Sequence, residues 1–452
     1  MEYPYQFSID PLLADVKVLQ DLLASGKATN LKIVNDYLQQ IEKYDGYLHA
    51  VIQRARYVVL EAAATELDDE RAYGKVRGPL HGIPILIKVC VLQEFSGARD
   101  YHMPSGWSAL GGQTQSAYVR GGLKRGDSSI GHSNPAGSST GSAVGVSAGY
   151  APIALGTEAE GSLIVSAGRA ALYAMKPTIG RVSQKGVVPI SRYFDSVGPM
   201  TKSVYDLAVL LDVLMERPVM FSFTKYLTRT WEAISVAVLD PKEWRYPPAL
   251  ITPVPGAEEQ MDRELKMAYF KIAAEAKDFT ILADTCLGVD VENTDLNAYL
   301  EDLDWSEVRS LGDIIRFNIQ HARMELPPDH PTQDRFARAE WQNLSSEGHA
   351  WYLKNLRRVS RDVIAEPVFN NGIDVIIGPA DGLLSTLAVV GGYPIAAMPL
   401  SYLEYNGRPF GAAAMAARGR EDILIKVMSA WEATFPAARQ PPPELDLLRS
   451  WF

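Results

Sequence analysis

From Gly141 to Met175 the chain carries charge only at Glu158, Glu160 and Arg169; the rest is mainly Gly, Ala, Ser, Val and Leu. A run this poor in charge belongs deep in a core, where small side chains let backbones approach closely. A strand near residues 153–155 and a buried helix after Ser162 are predicted within it. Upstream, Gly78-Pro79-Leu80-His81-Gly82 reads as a turn. The apolar run Ile83-Pro84-Ile85-Leu86-Ile87 then reads as a short buried strand delivering Lys88. Val375-Ile376-Ile377, ended by Gly378-Pro379, and Pro394-Ile395-Ala396-Ala397-Met398, closed by Pro399, are two more strands.

Helical spacing marks Leu31, Val34, Tyr37, Leu38 and Ile41, with Asp45-Gly46 as the stop. Further helices are predicted over 57–67, 258–277, 332–347 and 423–431, and loop over 96–140. The section 215–348 is more charged and aromatic and is expected to be a peripheral cap within one domain spanning 1–452.

The 452 residues include 44 Lys+Arg against 54 Asp+Glu, a net charge of −10. Nucleic-acid binding as the main task needs clustered basic residues, so this balance speaks against it. Two cysteines cannot build a disulfide framework or a four-thiolate zinc site. The seven histidines lack metal-ligand spacing and read as scattered surface or core residues. No apolar stretch reaches the length of a membrane span, and no signal peptide is visible, so a cytoplasmic location is expected.

Three elements suggest chemistry. Lys88 ends an apolar strand, and burial disfavours its ammonium form, which would leave a neutral amine usable as a base; the alternative is a strand-end lysine reaching water. Gly137-Ser138-Ser139-Thr140-Gly141-Ser142 is a polar loop without the Gly-Lys-Ser/Thr ending of a phosphate-binding loop. Gly156-Thr157-Glu158-Ala159-Glu160-Gly161-Ser162 is a turn able to aim successive N–H groups at one point beside a hydroxyl. A rival, Gly145-Val146-Ser147-Ala148-Gly149, matches a nucleophile elbow but lacks the preceding strand, so Ser147 is expected to pack on a buried helix. Cys90 is a further candidate nucleophile, read as an inert thiol beside an apolar strand.

Taken in order, these blocks resemble the amidase signature family. The resemblance runs from Gly78–Pro84 through Lys88, the loop at 137–142 and Gly156–Ser162. It continues through Lys176-Pro177-Thr178, Gly180-Arg181-Val182-Ser183 and Asp195-Ser196-Val197-Gly198-Pro199-Met200. It closes with Gly392-Tyr393-Pro394 and Asn406-Gly407-Arg408-Pro409-Phe410-Gly411. Pro104-Ser105-Gly106-Trp107 and Gly111-Gly112-Gln113-Thr114-Gln115 look most like versions from filamentous fungi.

The resemblance implies an α/β fold, a single large domain with a mixed β-sheet core covered by helices on both faces. It implies an amide hydrolase without metal or cofactor, acting on a small-molecule amide through an acyl-enzyme. Ser162 matches the nucleophile, Ser138 the bridging serine 24 positions upstream, and Lys88 the base. The family holds the bridging serine by a cis peptide, here Gly137–Ser138. Backbone N–H groups of Ala159, Glu160, Gly161 and Ser162 would hold the oxyanion. Alternatives on the same fold are transfer of the acyl group to an acceptor other than water, including cyclisation, and an inactive binding protein. A homodimer is expected, the commonest symmetric assembly of soluble enzymes.

The chain departs from the family at Val89, where an acidic residue is usual, at Glu160 for glycine, Ser166 for proline and Ile164 for arginine. Glu160 is expected to face outward, since an inward carboxylate would repel the developing charge. Leu92-Gln93-Glu94-Phe95 resembles a block that normally lies well downstream of the lysine, so a family segment is missing between them in this sequence, with similar compression near 217–223. Tyr101, Trp107, Tyr193 and Phe194 favour an apolar or aryl acyl group, or are simply core.

Overall fold

The computed structural model describes residues 9–88, 103–217, 219–282, 294–301, 303–342, 346–443 and 445. Val89, Cys90, Tyr101 and the block at 92–95 lie outside them.

The strands are β1 (Ile85–Ile87), β2 (Trp107–Ser108), β3 (Gly112–Gln113), β4 (Ile153–Glu158), β5 (Tyr173–Lys176), β6 (Ser196–Thr201), β7 (Ser235–Leu239), β8 (Asp278–Leu282), β9 (Val375–Pro379), β10 (Ile395–Tyr402) and β11 (Pro409–Ala416). Nine of them form one sheet in the order β1-β4-β6-β5-β10-β11-β9-β7-β8; β2 and β3 pair separately. Pairing is parallel at both ends, β1 with β4 and β7 with both β9 and β8, and antiparallel through the middle.

Alternating side chains sort onto the two faces. Val236, Val238, Val375, Ile377, Ala396, Met398 and Ala414 pack under the helices Val204–Leu214, Ala257–Ala273 and Glu421–Thr434. Ala237, Leu239, Ile376, Ile395, Ala397, Ala413 and Met415 face the opposite way, toward the helices α1 (Thr140–Ser147), α2 (Ile164–Gly168) and α3 (Leu384–Gly391). Both faces are covered, so the strands read as continuous apolar runs. The alanine-rich β10 and β11 keep the layers close.

The low-charge segment is buried as anticipated, supplying α1, β4, α2 and β5 in succession. Several boundaries differ. The first predicted helix, Asn30–Leu48, runs through Gly46 and ends at His49, which takes a left-handed φ of 49°. β10 continues through Pro399 by a bulge between Pro399 and Ser401. β1 is not a buried strand: it is the sheet edge, with Ile85 37% and Ile87 66% exposed. The 215–348 section divides: β7 and β8 extend the main sheet, while Leu296, Leu300, Leu311, Ile314 and Phe336 form a cluster of their own.

Candidate active site

Lys88 follows directly on β1, where its N–H donates to Leu155 O of β4 at 3.1 Å. Its side chain turns inward although its strand is at the edge, and the residue is 8% exposed. Nζ lies 2.6 Å from Ser138 Oγ, 3.2 Å from Ser139 Oγ and 3.3 Å from Thr157 O. Ser139 Oγ also donates to Thr157 O and accepts from Thr157 N–H, fixing the loop to β4.

Ser138 precedes α1 on a tight turn. Ala136 and Gly137 take left-handed φ values of 56° and 68°. That conformation is unfavourable for alanine, and side chains over-determine it. Asn134 Oδ1 accepts Ala136 N–H at 2.9 Å, and Ala136 O accepts from Ser166 Oγ at 2.9 Å and Thr140 Oγ1 at 3.2 Å. The expected cis peptide at Gly137–Ser138 is absent, since no peptide bond among the described residues is cis. Two successive left-handed residues reverse the chain there instead.

Ser162 is brought to the same point from the end of β4. Gly161, at φ 71°, makes the turn. Ser162 O accepts from Ser139 N–H at 3.3 Å and from Ser166 Oγ at 2.9 Å, which stitches the two serine segments together at the backbone. Ser162 is half-buried, and its Oγ makes no hydrogen bond to the described residues. The segments of Ser138 and Ser162 therefore meet at the backbone, with Lys88 against Ser138. The N–H groups of Ala159, Glu160 and Ser162 donate to no acceptor among the described residues.

Beneath the turn lies a buried charged layer. Glu158 Oε2 accepts the N–H groups of Leu163 and Ile164 at 2.6 and 2.9 Å. Burial raises its pKa, opposed by Lys176 and by the N–H groups of Ile164, Leu163 and Gly161. Burial pushes Lys176 down to about 8, with Glu158 and Asp195 acting the other way. Asp195 accepts the N–H groups of Ile190 and Ser191 at 2.7 and 2.9 Å. Burial raises it to about 6, against those N–H groups and the charges of Lys176 and Lys88.

Glu160 does not face outward. Its Oε1 accepts a hydrogen bond from Thr386 Oγ1 on α3, and the residue is half-buried. Burial raises its pKa, with Thr386 and Arg335 opposing. The inward turn is explained by that hydroxyl, which supplies the partner a buried carboxylate needs.

Ser147 is buried on α1, its Oγ donating to Val144 O at 3.0 Å, as expected of a helix residue and not of a nucleophile. Phe194 and the half-buried Tyr193 pack with Ala159, Leu353 and Val389 beside the turn, whereas Trp107 stacks on His330 with ring centroids 4.7 Å apart. An apolar cavity of about 440 Å³ between Leu38, Ile41, Ile85, Ile87 and Tyr150 borders Lys88, but its lining includes neither Ser138 nor Ser162. Among the described residues no cluster of His, Cys, Asp and Glu is arranged for a metal, and no helix is long and apolar enough to cross a membrane.

Sequence reasoning assigned no part to Thr386, Ser166 or Arg169. Arg169 ties the loop before Ser138 to Asp381, donating to Ile130 O at 2.7 Å, Asn134 O at 3.2 Å and both Asp381 oxygens at 3.2 Å. One signal was readable for Arg169: it is the sole basic residue of the low-charge run, and a buried cation requires a partner.

The amidase family model matches residues 131–380. A probable amidase of Arabidopsis thaliana is 28% identical, the match covering 92% of this chain and 88% of that one. A glutamyl-tRNA(Gln) amidotransferase chain of Staphylococcus haemolyticus is 24% identical over 93% of this chain and 97% of its own. Among solved structures, a peptide amidase in complex with the competitive inhibitor chymostatin superposes with a TM-score of 0.78 at 25% identity, covering 97% of this chain and 100% of that one. Fold and family together define an amide-hydrolysing enzyme. The chain belongs to the amidase family, with the signature blocks in order along it.

Proposed function

We propose that this amidase cleaves its amide through an acyl-enzyme on Ser162, with Ser138 as proton relay and Lys88 as base. The observation that carries the reading is the 2.6 Å contact between Lys88 Nζ and Ser138 Oγ, next to Ser162, whose hydroxyl bonds none of the described residues. A neutral Lys88 takes the proton of Ser138 as Ser138 takes that of Ser162, and Ser162 Oγ bonds to the amide carbon. Negative charge collects on the carbonyl oxygen, for which the N–H groups of the 159–162 turn are the available donors. As the C–N bond breaks, Ser138 returns a proton to the leaving nitrogen and recovers one from Lys88. Water then attacks the ester as Ser138 takes its proton and passes one to Lys88, and Ser162 leaves as the relay returns a proton to its oxygen, releasing the carboxylic acid.

A fluorophosphonate reagent should add to Ser162 in the native enzyme and not in Ser162→Ala, and Ser162→Ala should lose amide turnover. Retained turnover in that variant would defeat the assignment. The alternative to hydrolysis on the same acyl-enzyme is transfer of the acyl group to an acceptor other than water. Hydrolysis in ¹⁸O-water puts the label in the carboxylate; transfer leaves the product unlabelled.

A further inference from the structure

Glu160 lies two residues before Ser162, so their Cα atoms are at most about 7.6 Å apart. Thr386 Oγ1 holds one carboxylate oxygen, Oε1. The other, Oε2, takes no hydrogen bond from the described residues, and the residue keeps some exposure. The tether matters, because it fixes which way the second oxygen can point. Tyr246 closes the same corner: its hydroxyl lies 3.2 Å from where a Cβ on Gly161 would be.

Among the described acids around the turn, Glu158 Oε1 and Asp195 Oδ1 also lack a hydrogen bond but are buried, so Glu160 is the one whose unbonded oxygen keeps some exposure. Asp381 is engaged by Arg169 and Arg408, and Glu158 by backbone N–H groups under the turn. Arg335 favours the ionised form of Glu160 electrostatically, after the Thr386 hydroxyl. Across the turn, Ala159 packs with Phe194, Leu353 and Val389, and Tyr193 and Ile190 flank them. The turn thus meets an apolar, aromatic cluster at Ala159 and carries one anchored carboxylate at Glu160, three and two residues before the proposed nucleophile.

We infer that Glu160 is a specificity residue that receives a protonated amine carried by the acyl part of the substrate, so that the preferred substrates are α-amino amides with an apolar or aromatic side chain. The inference rests on Ser162 being the nucleophile. A carboxylate against an ammonium is a strong, charge-assisted contact, and the amine of an α-amino amide is two bonds from the carbonyl carbon, a separation that Glu160 can span.

The test compares phenylalanine amide with 3-phenylpropanamide, which has the same skeleton without the amine. The native enzyme should prefer phenylalanine amide in kcat/KM, and Glu160→Gln should cut that preference about tenfold or more. A preference equal in native enzyme and Glu160→Gln, whatever the absolute rates, overturns the inference, as does a native enzyme that favours the amine-free amide. If Glu160→Gln does not fold, Glu160→Asp, which withdraws the carboxylate by one methylene, must show the same loss of preference. Where neither amide is turned over, fluorophosphonate labelling separates the two ideas. Labelled Ser162 keeps the site assignment and overturns the substrate inference; an unlabelled Ser162 brings down both.

Discussion

Lys88 Nζ stands 2.6 Å from Ser138 Oγ, although the two residues are fifty positions apart and Lys88 leaves an edge strand. Thr157 O and Ser139 Oγ hold the amine from the other side. If Lys88 acts only through Ser138, removing either breaks the same relay. Lys88→Ala and Ser138→Ala should each lower kcat/KM by about a hundredfold or more. The double variant should lose little beyond the worse single one, because the two groups act as a unit. A double variant whose loss equals the product of the two singles would show that they work independently.

Gly137 is where the two serine segments touch. A Cβ there would meet Ser166 Oγ at 2.1 Å and the backbone of Ser162 at 3.1 and 3.3 Å, and φ is already 68°. Gly137→Ala should therefore destabilise the fold by about 1–3 kcal/mol and displace Ser162, with a larger fall in turnover than in stability. Ser166→Ala removes the nearest obstructing atom. Urea unfolding of the double variant should show a smaller loss than the two singles added together; strict additivity would mean that the clash is relieved elsewhere.

Much of this site was readable in the chain because it is built from local patterns. The apolar run before Lys88, the serine–glycine loop and the Gly161-Ser162 turn each follow from short-range chemistry, and the low-charge segment located the last of them in the core. What escaped depends on contacts across long sequence separations. Nothing near Glu160 announces Thr386, 226 positions later, so the carboxylate was expected to seek water. The exposed side of β1 escaped for a related reason: an apolar strand reads the same at the centre or the edge of a sheet, since pairing is decided by the rest of the fold. β7 and β8 were hidden by the charged helix between them, Ala257–Ala273, whose outer face gave the whole section a peripheral character.

Asp381 joins two cations that order the loop before Ser138. Arg169 and Arg408 are 2% and 0% exposed, and Arg408 Nη1 lies 2.6 Å from Asp381 Oδ2. Although burial alone would raise it, the two guanidiniums hold the Asp381 carboxyl down at about 2. Asp381→Asn keeps the shape and removes the charge, leaving two buried guanidiniums without a counter-ion. Equilibrium unfolding should show a loss of about 3–5 kcal/mol. Turnover should also fall, since Arg169 carries the carbonyls of Ile130 and Asn134 on the same fork. A loss below about 1 kcal/mol would mean that water enters the cluster.

His132 closes the far side of that cluster and gives it a pH dependence. Arg408 Nη2 is 3.1 Å from His132 Nδ1, and His132 Nε2 is 2.9 Å from Glu258 Oε1. Guanidinium nitrogens only donate, so Nδ1 holds the lone pair and Nε2 the proton, the neutral tautomer. Burial, then Arg408 and Arg169, bring the His132 pKa down to about 4, with Glu258 opposing. The unfolded chain, with histidine near 6.5, binds this proton first. Stability from His132 is therefore complete above about pH 6.5 and is lost as pH falls toward 4, by about 3 kcal/mol in all. Asp195, raised to about 6, works in the opposite sense, stabilising as pH falls through the same range, and Asp381 contributes only nearer pH 2. Comparing His132→Gln with the native enzyme in urea at pH 7.0, 5.5 and 4.5 cancels those other groups. The native enzyme should lose its advantage over the variant across that range. A gap that stays constant would mean that folding leaves the His132 pKa unchanged, and a gap that widens as pH falls would mean that Glu258 outweighs burial and the two arginines.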